Sequence, residues 1–292
     1  LVCPPYDIIS EEQREKFIEE NPYNIIRLEL PAGENKYRQA GITLNDWLVS
    51  GILEKDEKDS IYVYEMVFTA QGKVNSVKGF VSLVKLQEFS DNVILPHEET
   101  LSKAKADRFN LMSETNANFS QIYSLYMDED GSVYDLIDSV SKGEPDMRVT
   151  DNDGTVHKMW CVSDESVIDA VSKKFADKKL YIADGHHRAA SAVKVGLKRR
   201  AEHPEYDGSE EFNYFLSVLF PDEELMIMDY NRVVKDLNGL TEDEFLKKVR
   251  ELFDVEPVGT AERKPQKKGD FSMYLGGQWY MCTVREVDRS SD

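Results

Sequence analysis

The chain has 292 residues, 41 % of them hydrophobic and 10 % aromatic. That is too apolar for a disordered polymer and enough for one large domain or two ordinary ones. Lys and Arg number 36 against 55 Asp and Glu, so the formal charge is 36 − 55 = −19. Such acidity excludes a general nucleic-acid binder, because phosphate backbones are held by summed basic charge, and it disfavours an anionic membrane surface.

No run approaches the roughly 18 apolar residues that a bilayer span needs, and no basic segment followed by an apolar one marks a signal peptide. Cys3, Cys161 and Cys282 are odd in number, far apart and form no CxxC. They exclude a disulfide framework, argue against a cysteine zinc site, and make a reducing, cytoplasmic setting the expectation. Leu1 in place of Met, and the tail Arg289-Ser290-Ser291-Asp292, point to a piece of a longer protein.

In chain order, Ser10-Glu11-Glu12-Gln13 has the form of a capping box and predicts a short surface helix over 10–20. Asn21-Pro22 stops it. Residues 24–31 (NIIRLELP) read as a strand, with Arg27 and Glu29 on an exposed ion-pairing face. A helix over 36–50 places Ile42, Leu44, Trp47 and Leu48 inward. Residues 61–70 and 77–86, rich in β-branched and aromatic side chains, read as a hairpin across Gln71-Gly72-Lys73. A strand over 119–127 and a short helix over 132–141 follow. Strands near 146–150 and 155–162 then flank the turn Asn152-Asp153-Gly154.

Asp164 caps a helix to about Phe175. A buried strand, 179–183, runs into Asp184-Gly185-His186-His187-Arg188, and a helix over 189–195 stops at Gly196. Strands at 212–220 and 225–230, a helix at 241–253 capped by Thr241 and Glu244, and a hairpin over 271–284 across Gly276-Gly277 complete the chain. Strands and helices mix without a βαβ rhythm, which favours α+β.

The strongest chemical signal is 184–188. Gly185 permits a tight turn and close backbone approach. The helix that follows offers free amides and a positive dipole end to an anion. His186, His187 and Arg188 add side-chain donors there, and a guanidinium grips phosphate through a planar fork. Asp184 places a carboxylate beside this cradle, suited to a magnesium ion or to a substrate hydroxyl or amine. Two other readings remain open: a purely structural turn, and a metal site, for which adjacent histidines without a HExxH or cysteine partner are poorly placed.

A second segment, Pro96-His97-Glu98-Glu99-Thr100, leads into Lys103, Lys105, Asp107 and Arg108. A rigid Pro-His-Glu corner suits Glu98 as a base, and the following cations suit phosphate oxygens. A solvated charged loop is the competing account. Thr115 to Ser120 is a further polar run able to line a site. Tyr6 and Asp7, stiffened by two prolines, read as an anchor of the amino-terminal segment. His157 and His203 read as surface residues.

The pieces PPYDII (4–9), NPYNIIRLELP (21–31), PHEETLSKAKADR (96–108), SETNANFSQIYSLY (113–126) and DGHHRAA (184–190) resemble the DUF1015 family. The DGHHR box is similar to the phosphate-binding box of the ParB/sulfiredoxin superfamily, and among its members to that of the free-serine kinases. The resemblance implies an α+β fold of mixed sheets: a ParB/sulfiredoxin-like core over 91–235 with an elaborated insert, an amino-terminal region over 1–90 and a carboxy-terminal segment over 236–292.

It implies a nucleotide-dependent phosphotransferase acting on a small hydroxyl compound such as free serine, with ATP or ADP and Mg²⁺. Glu98, Asp184 and His187 would be catalytic, Glu98 deprotonating the acceptor hydroxyl. Gly185, His186, His187, Arg188, Lys105 and Arg108 would hold phosphates. Asp184, Thr100 and Ser120 would hold the acceptor, and Asp184 and Asp107 the magnesium. A nucleotide-binding switch or scaffold without transfer is the alternative. Sulfiredoxin chemistry needs a reactive cysteine in the box, and none stands there.

Overall fold

The computed structural model describes residues 3–99, 102–226 and 231–285, apart from the side chain of Lys103. The chain forms two compact units, Leu1–Met226 and Ile227–Asp292. The fold is mixed α and β, as the irregular alternation of elements predicts.

The first unit is built on an eight-stranded mixed sheet. Its strands are β1 (Ile61–Ala70), β2 (Lys73–Lys85), β3 (Ile94–Leu95), β4 (Ile122–Tyr126), β5 (Met147–Thr150), β6 (Val156–Val162), β7 (Leu180–Asp184) and β8 (Tyr214–Pro221), in the order β3-β7-β4-β8-β2-β1-β6-β5. Only β3–β7 and β4–β8 pair in parallel. The β1–β2 hairpin closes with Ala70 opposite Lys73, and Gln71 and Gly72 both take positive φ, as a two-residue hairpin turn requires. Residues 61–85 thus share one sheet with strands drawn from 91–221.

Alternation along the strands gives two apolar faces. One is the main core: Val63, Phe80, Ile122, Tyr126, Trp160, Ile182, Phe215 and Leu219 meet side chains from helices α4 (Ser102–Thr115), α5 (Ser132–Ser139), α6 (Glu165–Lys174) and α7 (His186–Glu202). The opposite face carries a smaller cluster of Val77, Val81, Val218 and Phe220, packed with Tyr62, Tyr64, Met66, Phe68 and Tyr123. The amino-terminal part adds α1 (Glu11–Glu20), α2 (Ile26–Glu29) and α3 (Lys36–Val49), with α3 packed on α2 and α4, and α4 on α7.

Local signals held where the chemistry is local. Ser10 Oγ accepts from Gln13 N–H while Gln13 answers to Ser10 N–H, the reciprocal pair that starts α1. Asp164 accepts from the amides of Ser166 and Val167 at the start of α6. Four expectations need correction.

The strand over 24–31 is a helical turn, because the Asn24 side chain accepts from Ile26 N–H and nucleates α2. Ile26, Leu28 and Glu29 are all buried, so Glu29 is not on an exposed face. In α3 the inward residues are Ala40 and Trp47, while Ile42 and Leu48 are exposed. The charged stretch after Pro96 is not a loop throughout: from Ser102 it is α4. Finally, α7 passes through Gly196 to Glu202 and ends where His203 precedes Pro204. Gly196 serves packing: a Cβ there would lie 2.4 Å from Leu86 Cδ1 and 3.0 Å from the Phe212 carbonyl oxygen.

Of the strand expected over 225–230, residues 227–230 lie outside the described residues, and Leu225 and Met226 are not in a strand. The second unit consists of α8 (Glu242–Leu252) and a three-stranded antiparallel sheet, β10-β11-β9, from β9 (Phe253–Gly259), β10 (Asp270–Leu275) and β11 (Gln278–Val284). Its capping box at Thr241 and the turn at Gly276-Gly277 are those the sequence predicts, whereas β9, with the alternation Phe253-Asp254-Val255-Glu256 directly after α8, is an element the sequence reading omits. Among the described residues no helix is long and apolar enough to cross a membrane.

Candidate functional site

The parallel pair β3–β7 sets Ile94 opposite Leu180 and Leu95 opposite Tyr181. Parallel strands release their chains at the same end of a sheet, so Pro96-His97-Glu98 and Asp184-Gly185-His186 emerge side by side. Gly185 has φ +92°, a conformation that strains any residue with a Cβ, and it is the N-cap of α7. A Cβ at Gly185 would also meet the Arg188 guanidinium at 3.1 Å.

His186 is buried and joins the two segments. The His97 backbone N–H donates to His186 Nε2 at 3.3 Å, and the two rings cross edge to face at 4.5 Å. With Nε2 accepting, a neutral His186 carries its proton on Nδ1, which lies 3.9 Å from Glu98 Oε2. His97 Nδ1 donates to the Ile182 carbonyl at 2.8 Å, leaving Nε2 3.9 Å from Glu98 Oε1. Burial, reinforced by the neighbouring His97, holds His186 below its ordinary value of 6.5 and so keeps it neutral. Glu98 itself is open to solvent, its side chain 63 % exposed.

Arg188 donates through Nη2 to Asp184 Oδ2 at 2.6 Å and through Nη1 to the Gln121 carbonyl. Its side chain is mostly buried while that of Asp184 is 74 % exposed. The guanidinium is therefore fixed across the first turn of α7. His187 lies half-buried in the same turn.

The structure thus brings Glu98, Asp184, Gly185, His186, His187 and Arg188 to one end of the sheet. Ser120 lines one cleft with Asp184 and Arg188, and Arg108 a small cavity with Ser120 and Arg188, whereas Lys105 and Asp107 line neither. Thr100 lies outside the described residues. Lys105 is on α4, where its carbonyl accepts from Ser191 Oγ at 3.0 Å. Arg108 is buried; it pairs with Glu29 at 3.1 Å, donates to Asp107, and stacks on the Tyr6 ring at 4.0 Å. Asp107 also accepts from Lys36 and Tyr37, each at 2.8 Å. Burial opposes its ionisation, but these donors outweigh burial and bring its pKa down to about 2. Ser120 donates to Glu29 Oε1 at 2.6 Å.

Sequence reading missed Glu29 as a buried carboxylate, and it missed a cleft of about 660 Å³ whose lining includes Tyr64, Tyr123, Phe220, Glu29, Asp184 and Arg188. The signal was present in the alternation Tyr62-Tyr64-Met66-Phe68, which puts an aromatic row on one strand face. His157 is not a free surface residue either: its Nδ1 is 2.7 Å from Tyr64 Oη and its Nε2 3.1 Å from Asp151. His203 stacks on Phe212.

Among the described residues no group of three or more His, Cys, Asp or Glu side chains could hold a metal ion. A carboxylate such as Asp184, with Oδ1 not engaged by Arg188, fits a cation held mainly by phosphate oxygens and water; Asp107, saturated by three partners, does not.

No curated protein and no solved structure matches the chain. A family model described as "Protein of unknown function (DUF1015)" matches residues 1–291. With the match spanning the chain almost end to end, the protein belongs to the DUF1015 family.

Proposed function

We propose that the protein is a nucleotide-dependent phosphotransferase acting on a small hydroxyl compound, free serine among the candidates, on a core of ParB/sulfiredoxin type in the cytoplasm. The observation that carries this reading is the meeting of Glu98 with the start of α7 across the β3–β7 pair. ATP or ADP would place its phosphates against the first amides of α7, where helix dipole and fixed guanidinium favour negative charge. Magnesium, when bound, neutralises phosphate charge, and Asp184 is the carboxylate in reach of it.

The acceptor oxygen would form the new bond to phosphorus as the bridging P–O bond of the nucleotide breaks, and its proton would pass to Glu98. Neutral His186, whose Nδ1–H lies toward that carboxylate, would orient it. A nucleotide-binding module without transfer is the second reading. The ion pair Asp184–Arg188 favours it, because it occupies one oxygen of the carboxylate that precedes the Gly185 turn.

Incubation with ATP or ADP, Mg²⁺ and a panel of hydroxyl compounds headed by L-serine, followed by phosphorus NMR, is the test. A phosphomonoester is expected from the native protein, and a rate at least about 10²-fold lower from Glu98→Gln, the usual scale of a lost general base. Nucleotide that raises the melting temperature yet stays intact with every acceptor rejects transfer in favour of the second reading. No thermal shift and no product reject both.

A further inference from the structure

The cleft on the smaller apolar face of the sheet has a lining that phosphotransfer does not account for. Its wall is aromatic. Tyr123 and Phe220 stack at 5.0 Å with 23° between planes, and Tyr64 meets Phe220 edge on at 6.4 Å. Gly79, opposite Tyr64 in register, makes the space for this: a Cβ there would lie 2.7 Å from the Phe220 ring and 2.3 Å from the Leu219 carbonyl oxygen. Phe220 is fully buried and backs the wall, so the half-buried rings of Tyr64 and Tyr123 are the ones a flat ligand can meet.

One acceptor atom without a donor completes the lining. Glu29, its side chain only 7 % exposed, gives Oε1 to Arg108 and Ser120, while Oε2 has no hydrogen bond among the described residues. A nearly buried carboxylate oxygen in a cleft is a position that a ligand donor satisfies.

Charge in the lining is compensated. Arg108 faces Glu29, and Arg188 faces Asp184. Neither an anion nor a cation is drawn in strongly. The volume of about 660 Å³ lies in the range of small-molecule sites.

We infer that this cleft binds a neutral, flat heteroaromatic ring of nucleobase size, which stacks on the Tyr64 and Tyr123 rings that Phe220 backs and donates N–H hydrogen bonds to Glu29. Asp184 and Arg188 line the cleft while Glu98 and His186 do not, so it adjoins the site of the phosphotransfer reading, but its occupancy by such a ring does not depend on transfer. The ring has two possible sources, the base of a nucleotide or a separate small molecule.

Calorimetric titration of the full chain with adenosine and guanosine, which carry no phosphate, tests it. Two variants accompany the native protein. Glu29→Gln keeps an oxygen for Arg108 and Ser120 but turns the free acceptor into a donor. Met66→Trp fills the cleft from β1 at a half-buried position. At least one nucleoside is expected to bind the native protein, and each variant to bind it at least about tenfold more weakly, the scale of one lost hydrogen bond to a charged group.

If Glu29→Gln does not fold, as circular dichroism would show, Met66→Trp alone decides. No binding of either nucleoside, or unchanged affinity in a folded variant, overturns the inference. ATP bound where adenosine is not would overturn it while leaving phosphotransfer intact. Nucleoside bound without any transfer would do the reverse. Competition by ATP against the bound nucleoside identifies the ring as the base of the nucleotide, and its absence identifies a separate small molecule; either supports the site.

Discussion

Asp107 and Glu29 share the Arg108 guanidinium, yet their acid–base behaviour runs in opposite directions. Asp107 titrates near 2 in the fold against an ordinary 3.8. The unfolded chain therefore takes up that proton first, so the contribution of Asp107 is complete above about pH 4 and is lost as pH falls toward 2. Burial pushes the Glu29 carboxyl up, against the Ser120 hydrogen bond and the Arg108 charge. Its ionised form costs stability at neutral pH, and acid relieves that cost. Urea unfolding across this range should show a decline between pH 4 and 2 in the native protein that Asp107→Asn flattens and Glu29→Gln does not. A native slope retained in Asp107→Asn would place the acid-labile group elsewhere.

The elements show which parts of the fold a sequence discloses. The capping boxes at Ser10 and Thr241 and both two-residue hairpins were legible, because each is decided by residues within four positions of one another. Residues 24–31 misled because Ile26 and Leu28 alternate with charges as a strand would, while the Asn24 carboxamide, which sets the helical turn, speaks through one hydrogen bond. The cationic run from Lys103 hid α4 for a related reason: its inward side includes Arg108, whose burial depends on Glu29 from 79 residues away. Gly196 looked like a helix terminator because glycine commonly ends helices; what it does is admit Leu86 and the 212 carbonyl. Replacing Gly196 by Ala should therefore destabilise by about 1–3 kcal/mol, since overpacking outweighs a gain of about 1 kcal/mol in helix propensity. Chemical denaturation measures this, and a more stable Gly196→Ala would show that Leu86 gives way freely.

At the scale of the whole molecule the excess of 19 negative charges opposes compaction, and the exposed ion pairs along α1 and α7 offset little of it. Raising ionic strength from about 10 mM to about 150 mM shortens the screening length from about 30 to 8 Å. The melting temperature should rise by about 2–4 °C, equivalent to about 1 kcal/mol in a unit of this size; a fall would mean that attractive pairs dominate.

The candidate site is a whole-molecule property too. The DGHHR box could be read from the sequence as a helix start, but its union with Glu98 followed from the family resemblance alone, for it depends on a two-residue parallel pair beyond which His97 and His186, 89 residues apart, meet. Everything from α4 to α6 is threaded between those two points. Until the β3–β7 edge is paired, Glu98 and the first turn of α7 are held by separate stretches of chain, so the transfer proposed above would be possible only in a molecule whose sheet is complete at that edge.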